Sequence, residues 1–196
     1  MESNRLEAFS DGVLAIIITV MVLELKVPTG EHLHDLWHTS GLSILTYVLS
    51  FVYIGIYWNN HHHLFQVVKT VTGGAMWANL HLLFWLSLYP FTTAWMDDSR
   101  LALTPTAVYG VNLLGAAIAY YVLQLTLLRT PGTGPVLKDV LGNDWKGKAS
   151  PGLYVLGIAL VFVTPWLGLV PFALVALIWL VPDTRVERWL AANRPA

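Results

Sequence analysis

The amino-acid sequence predicts an all-α integral membrane bundle of six transmembrane helices, organised as a single domain over residues 1–196. Three observations carry this reading. Apolar residues make up 56% of the chain and charged residues only 12%, against roughly half and a quarter in soluble domains. Several segments reach the roughly 20 mostly apolar residues that a helix needs to cross a hydrocarbon core about 30 Å thick. Lys and Arg also concentrate in the loops of one side, as they do at a cytoplasmic face.

The first helix is expected over about residues 5–27, its apolar run interrupted early by Ser10, Asp11 and Gly12 and ended by Pro28. No small-residue cleavage site accompanies it, so it reads as a retained helix rather than a signal peptide. A second helix over about 40–62 has Trp37 before it and Trp58 near its end as interfacial anchors. The third, about 74–97, carries Asn79 and His81 early and Pro90 late. The fourth, 103–128, holds Gly110, Gly115, Ala116, Ala117 and Ala119, small residues that let a neighbouring helix approach closely.

The last apolar stretch, 152–181, is too long for one span and short for two, and loop charge decides between them. Six spans with both termini inside put nine basic residues on the cytoplasmic side: Arg5, Lys69, Arg129, Lys138, Lys146, Lys148, Arg185, Arg188 and Arg194. Only Lys26 and Arg100 are left outside. Five spans would move Arg185, Arg188 and Arg194 outside and spoil that asymmetry. The stretch is therefore read as a hairpin of helices over about 152–166 and 169–182, turning near 165–171, where Gly168 supplies a flexible point. Residues 129–151, rich in Gly and Pro, read as a cytoplasmic loop with a short amphipathic piece near 137–145. No internal repeat is visible.

Composition also excludes. A formal charge of −1 argues against a nucleic-acid partner, and the absence of cysteine removes disulfides, thiolate metal sites and cysteine nucleophiles. His61, His62 and His63 invite a metal, but successive helical residues point about 100° apart and cannot converge on one ion. No metal site and no cofactor are expected, and no nucleophile lies with a base at plausible depth, so no catalytic residue is assigned. Outside, Glu24, Glu31, Asp35, Asp97 and Asp98 face Lys26 and Arg100; ordinary loop solvation accounts for them, and a modest concentration of cations at a pore mouth is the alternative.

Polar residues inside a span are costly and face a bundle interior or water. Asp11, Asn59, His62 and His81 lie near the cytoplasmic ends of the first three helices, at the depth of Arg5 and Ser10. A hydrogen-bonded network among Arg5, Ser10, Asp11, Asn59, His62 and His81 would satisfy groups that lipid cannot. Helical spacing also sets Ile16, Thr19, Val20 and Leu23 on one stripe of the first helix, which read alone is packing surface.

Arg5 followed by Phe9-Ser10-Asp11-Gly12-Val13, then Ala15-Ile16 and Thr19, resembles the first-helix signature of the endosomal and lysosomal transmembrane potassium channel family, in its single-repeat prokaryotic form. Trp58-Asn59-Asn60-His61-His62, and Asn79, Leu82-Leu83-Phe84 and Pro90-Phe91, are similar to its later signatures, so the likeness covers about the first half of the chain. The resemblance implies a potassium-permeable channel of the cell membrane without a P-loop selectivity filter, assembled as a homotetramer, with potassium as the permeant ion. It implies that the first helix lines the pore, with the narrow apolar ring at Ile16, a hydroxyl layer at Thr19 and further apolar layers at Val20 and Leu23. It also assigns Arg5, Phe9, Ser10, Asp11, Asn59, His62 and His81 to a structural polar network. Val20 is smaller than the leucine common among relatives, which weakens a second constriction there. A proton-coupled secondary transporter of a small cation, working through Asp11 and the histidines, is the competing reading; the repeats and mid-membrane helix breaks of that class are not evident.

Overall fold

Among residues 3–68, 70–141 and 144–181, which the computed structural model describes, eight helices follow one another. They are α1 (Ser3–Leu23), α2 (Leu33–Val67), α3 (Gly73–Ser87), α4 (Tyr89–Asp98), α5 (Leu103–Leu128), α6 (Gly134–Leu141), α7 (Trp145–Val161) and α8 (Pro165–Leu180). Lys69, Arg185, Arg188 and Arg194, which entered the loop-charge argument, lie outside the described residues. By length and composition α1, α2 and α5 are each apolar enough to cross a bilayer. The shorter α7 and α8, 17 and 16 residues, span about 25 Å each at 1.5 Å per residue.

Helix α1 ends before the expected 27 and α2 runs beyond the expected 40–62 at both ends, and three further differences have a local reason. The expected third helix is broken at Leu88 into α3 and α4, because Pro90 near the start of α4 has no amide to continue the ladder. The final hairpin turns at 162–164 rather than at 165–171: Pro165 takes the first position of α8, where its missing amide costs nothing. Gly168 therefore serves packing instead of turning, since a Cβ there would lie 2.9 Å from the Gly157 carbonyl oxygen on α7. The connection expected over 129–151 is also shorter, since α7 begins inside it. Its amphipathic piece is α6, and α7 starts at Trp145, capped by Asp144 Oδ1 accepting from the Gly147 amide at 3.0 Å.

The core forms around α5, which buries Tyr109, Leu113, Ala116, Ala119, Leu123 and Leu127 against α3, α4, α7 and α8. Small residues make this approach possible. At Gly110 an added Cβ would sit 2.5 Å from Phe172 Cζ and 2.8 Å from Ile158 Cγ1, and Phe172 is fully buried. Gly110→Leu is expected to wedge α5 from α7 and α8 and to destabilise the bundle by about 3 kcal/mol, the upper range for overpacking. A thermal melt of the purified protein checks it; a wild-type melting temperature would show that Phe172 repacks freely.

Candidate functional site: the first helix and its latch to the second

The first helix divides into two faces. Leu6, Ser10, Leu14, Ile17 and Met21 are buried at helical spacing against α2, α3 and α4. The opposite stripe, running through Arg5, Phe9, Gly12, Ile16, Thr19, Val20 and Leu23, is uncovered. Ile16 is 63% exposed and Leu23 80%. The Thr19 hydroxyl donates to the Ile16 carbonyl oxygen at 2.8 Å, which spends its proton on the helix and leaves the oxygen lone pairs to accept. Beside this stripe an open groove runs to Phe91, Trp95 and Asp98 on α4, with Glu24 at its end.

The buried face carries the polar groups. His61 Nε2 donates to Asn79 Oδ1 at 2.8 Å, Asn79 Nδ2 donates to Ser10 Oγ at 2.9 Å, and the Ser10 hydroxyl donates to the Leu6 carbonyl oxygen at 2.9 Å. The direction of this chain sets the Nε2–H tautomer of His61 and leaves its Nδ1 buried without a partner among the described residues. Ser10 and Asn79 are fully buried and His61 nearly so. One relay thus joins α1, α2 and α3.

A second set of contacts lies toward the rim. His62 Nδ1 donates to Glu7 Oε1 at 2.6 Å, and Trp58 Nε1 donates to Asp11 Oδ1 at 3.1 Å. Glu7 and Asp11 are one turn apart on α1, Trp58 and His62 one turn apart on α2, so the antiparallel pair meets in two rungs. The Trp58 and His62 rings stack at 6.1 Å and 12°, and Gln66 Nε2 donates to His62 Nε2 at 2.7 Å. The two rungs reinforce the rotation that the buried Leu14, Ile17 and Met21 impose on α1, and with it the stripe it presents outward.

Of the residues read from the sequence, Ser10, Asp11 and His62 are in these contacts. Arg5 and Phe9 stand on the outward stripe instead, and Asn59 joins none of the bonds among the described residues. His81 is exposed and accepts from Trp85 Nε1 at 3.0 Å within α3, so the six-membered network is not assembled as expected. Glu7, Trp58, His61 and Asn79 carry the latch in their place. The i, i+4 pairing of Glu7 with Asp11 and of Trp58 with His62 is the signal in the sequence that points to the rungs. His61, His62 and His63 fan out, with His61 turned to Asn79 and His62 to Glu7; among the described residues no three His, Asp or Glu gather around a metal-sized position.

On the far side, Lys26 pairs with Asp98 at 2.6 Å, and the bond to that carboxylate holds the Lys26 ammonium above its usual range. Ser43 donates to Asp97 Oδ2 at 2.5 Å, and Asp35 caps α2 by accepting from the His32 amide at 3.0 Å. Three of the five outer acids therefore serve local structure.

This helical bundle, with its first helix latched by one face and bare along the other, is similar along its whole length to membrane channels. It belongs to the TMEM175 channel family. The family described as endosomal/lysosomal potassium channel TMEM175 matches residues 5–90, from α1 into α4. A potassium channel of Chryseobacterium sp. (strain P1-3) is 52% identical over 193 residues, 98% of this chain and 100% of that one. The crystal structure of a lysosomal potassium-selective channel TMEM175 homolog from Chamaesiphon minutus superposes with a TM-score of 0.72 at 29% identity, covering 98% of each chain. The endosomal/lysosomal proton channel TMEM175 of Gallus gallus is 37% identical over 83 residues, 37% of this chain and 17% of that protein.

Proposed function

We propose that the chain is one subunit of a homotetrameric, potassium-permeable channel of the cell membrane, crossing it six times with both termini in the cytoplasm. Conduction is passive, along a central pore lined by α1 from each subunit, with no cofactor. The observation that carries this is the two-faced first helix: a buried face held by directed hydrogen bonds, and a bare stripe bearing Ile16, Thr19, Val20 and Leu23. Lipid would tolerate the apolar residues of that stripe, but Arg5 at one end and Thr19 within it suit a water-filled axis better.

Four Ile16 side chains around such an axis form a neck that dewets when narrow and conducts when it widens. Selectivity at an apolar ring follows dehydration cost, because potassium sheds water more readily than sodium. Thr19, three residues on, offers oxygen lone pairs to an ion that has lost part of its shell. The Ser10–Asn79–His61 relay and the Glu7 and Asp11 rungs hold the pore helix in register; they take no part in ion chemistry.

Single-channel recording from purified protein in a planar bilayer, under a potassium–sodium gradient, tests the assignment. Channel-sized unitary currents are expected; saturable exchange without them would place the protein among transporters. Thr19→Ala is expected to lower the potassium-to-sodium permeability ratio about threefold, a barrier difference of about 0.6 kcal/mol. An unchanged ratio would remove the hydroxyl layer from the mechanism.

A further inference from the structure

Away from the first helix, α2, α5, α7 and α8 line a partly open cavity of about 50 Å³ that the proposed pore does not use. At about 12 Å³ of such space per water it holds about four waters, whose share of liquid volume matches one compact group of four or five heavy atoms. Its walls are aromatic: Tyr57, Tyr120, Tyr154 and Trp179 line it. Their positions are set in advance. Tyr57 and Tyr120 meet edge-on at 5.9 Å, the Tyr120 hydroxyl donates to the Asn60 carbonyl oxygen at 3.2 Å, and Trp179 Nε1 donates to Ser150 Oγ at 2.8 Å.

Most polar groups on this wall are bonded within the protein, but not all of them. Gln124 is only 7% exposed, lines the cavity, and makes no hydrogen bond to another described residue. Its amide keeps access to the cavity space, so its partner is whatever the cavity holds. Gly147 also lines the wall, and its carbonyl lacks the usual helical donor because the residue four positions on is Pro151. Asp144 is the one lining residue that bears charge; Oδ1 caps α7, leaving Oδ2. The cage thus offers π faces, acceptors and one negative charge. Lys146 does not line it, yet its Nζ stands 5.8 Å from the centre of the Trp179 ring while donating to the Val181 carbonyl oxygen at 2.9 Å. That ring already receives an ammonium from outside.

We propose that this cavity is a binding site for an alkylammonium group, received by the aromatic cage and balanced by Asp144. Quaternary and alkyl ammonium ions bind such cages through cation–π attraction. An anion would meet Asp144, and a purely apolar guest would leave Gln124 and Asp144 unmet. The group can be a free small cation or the headgroup of a lipid, two sources with the same recognition chemistry.

The test uses the full chain in nanodiscs of phosphatidylglycerol, titrated with choline chloride and read by melting temperature and tryptophan fluorescence. Sodium chloride is the ionic control, and 3,3-dimethylbutan-1-ol is the uncharged isostere of choline. A saturable response to choline, absent with the isostere, is expected. Asp144→Asn keeps the helix cap, because Asn caps as well as Asp, but is expected to weaken choline at least tenfold. Gln124→Met is expected to weaken it about threefold, and Ile16→Asn to leave it unchanged, which separates this site from the pore. Replacing half the lipid with phosphatidylethanolamine distinguishes the sources: a weaker apparent affinity for choline identifies the headgroup as occupant, an unchanged one a soluble cation. Equal responses to choline and its isostere, wild-type affinity in Asp144→Asn, or no saturable response in protein that melts normally would each overturn the site and leave the cavity to water.

Discussion

Ile16→Asn is expected to raise the unitary conductance and to lower the potassium-to-sodium permeability ratio by about tenfold, which is about 1.4 kcal/mol of barrier difference. The reasoning is local. Ile16 is more than half exposed on the outward stripe of α1, flanked by Gly12 one turn inward and Val20 one turn outward. Of these three positions it carries the largest side chain, so in the proposed tetramer four copies around the axis would make the narrowest of the three layers. Four carboxamides in the same place hydrogen-bond water, so the neck stays wet and an ion passes with its shell intact. Sodium then loses its disadvantage. The measurement is single-channel recording under a bi-ionic gradient, with the wild-type protein in the same lipid. A mutant with unaltered conductance and ratio would take Ile16 out of the constriction and with it the proposed orientation of α1.

The second large effect is expected from Asn79→Leu. Asn79 Oδ1 accepts from His61 and its Nδ2 donates to Ser10, so its removal strands the buried His61 Nε2–H and takes from Ser10 Oγ one of its two bonds. A stranded group costs about 1–3 kcal/mol in a water-soluble protein. In bilayers the cost of losing a hydrogen bond averages nearer 0.6 kcal/mol, because chains unfolded in the membrane find partners too. About 2 kcal/mol is therefore expected in total, or a fall of about 5 °C in melting temperature for a chain of this length. Ser10→Ala separates the roles. It removes the acceptor of the Asn79 amide and keeps the His61 bond, so it should destabilise less than Asn79→Leu. Equal losses in the two variants would show that the His61 bond contributes little.

Several parts of this architecture were legible from residues alone, because hydropathy and loop charge are properties of composition that the bilayer reads directly. The small-residue face of α5 is one: Gly110, Gly115 and Ala116 announce a close helix contact, and Phe172 and Trp85 fill the space that side chains there would occupy. The stripe on α1 is another, since a period of 3.6 residues sets Ile16, Thr19, Val20 and Leu23 together whatever the rest of the chain does. Element ends were less legible. Pro90 and Pro165 each allow a break or a helix start, and only the packing around them selects one.

The amino-acid sequence by itself determined that this is a helical membrane protein with a marked first helix, and its Arg5-to-Asp11 signature pointed to the TMEM175 family. Which polar residues join was decided only by the tertiary structure. His61, His62 and His63 are equivalent as letters, but the rotation of α2 turns the first to Asn79 and the second to Glu7. Arg5 and Asp11 belong to one motif, yet they leave α1 on different faces, one outward and one into the latch with Trp58. Sequence spacing fixes which residues of one helix share a face, whereas partners on another helix depend on the register and rotation of two packed cylinders, which distant side chains such as Leu14, Ile17 and Met21 set.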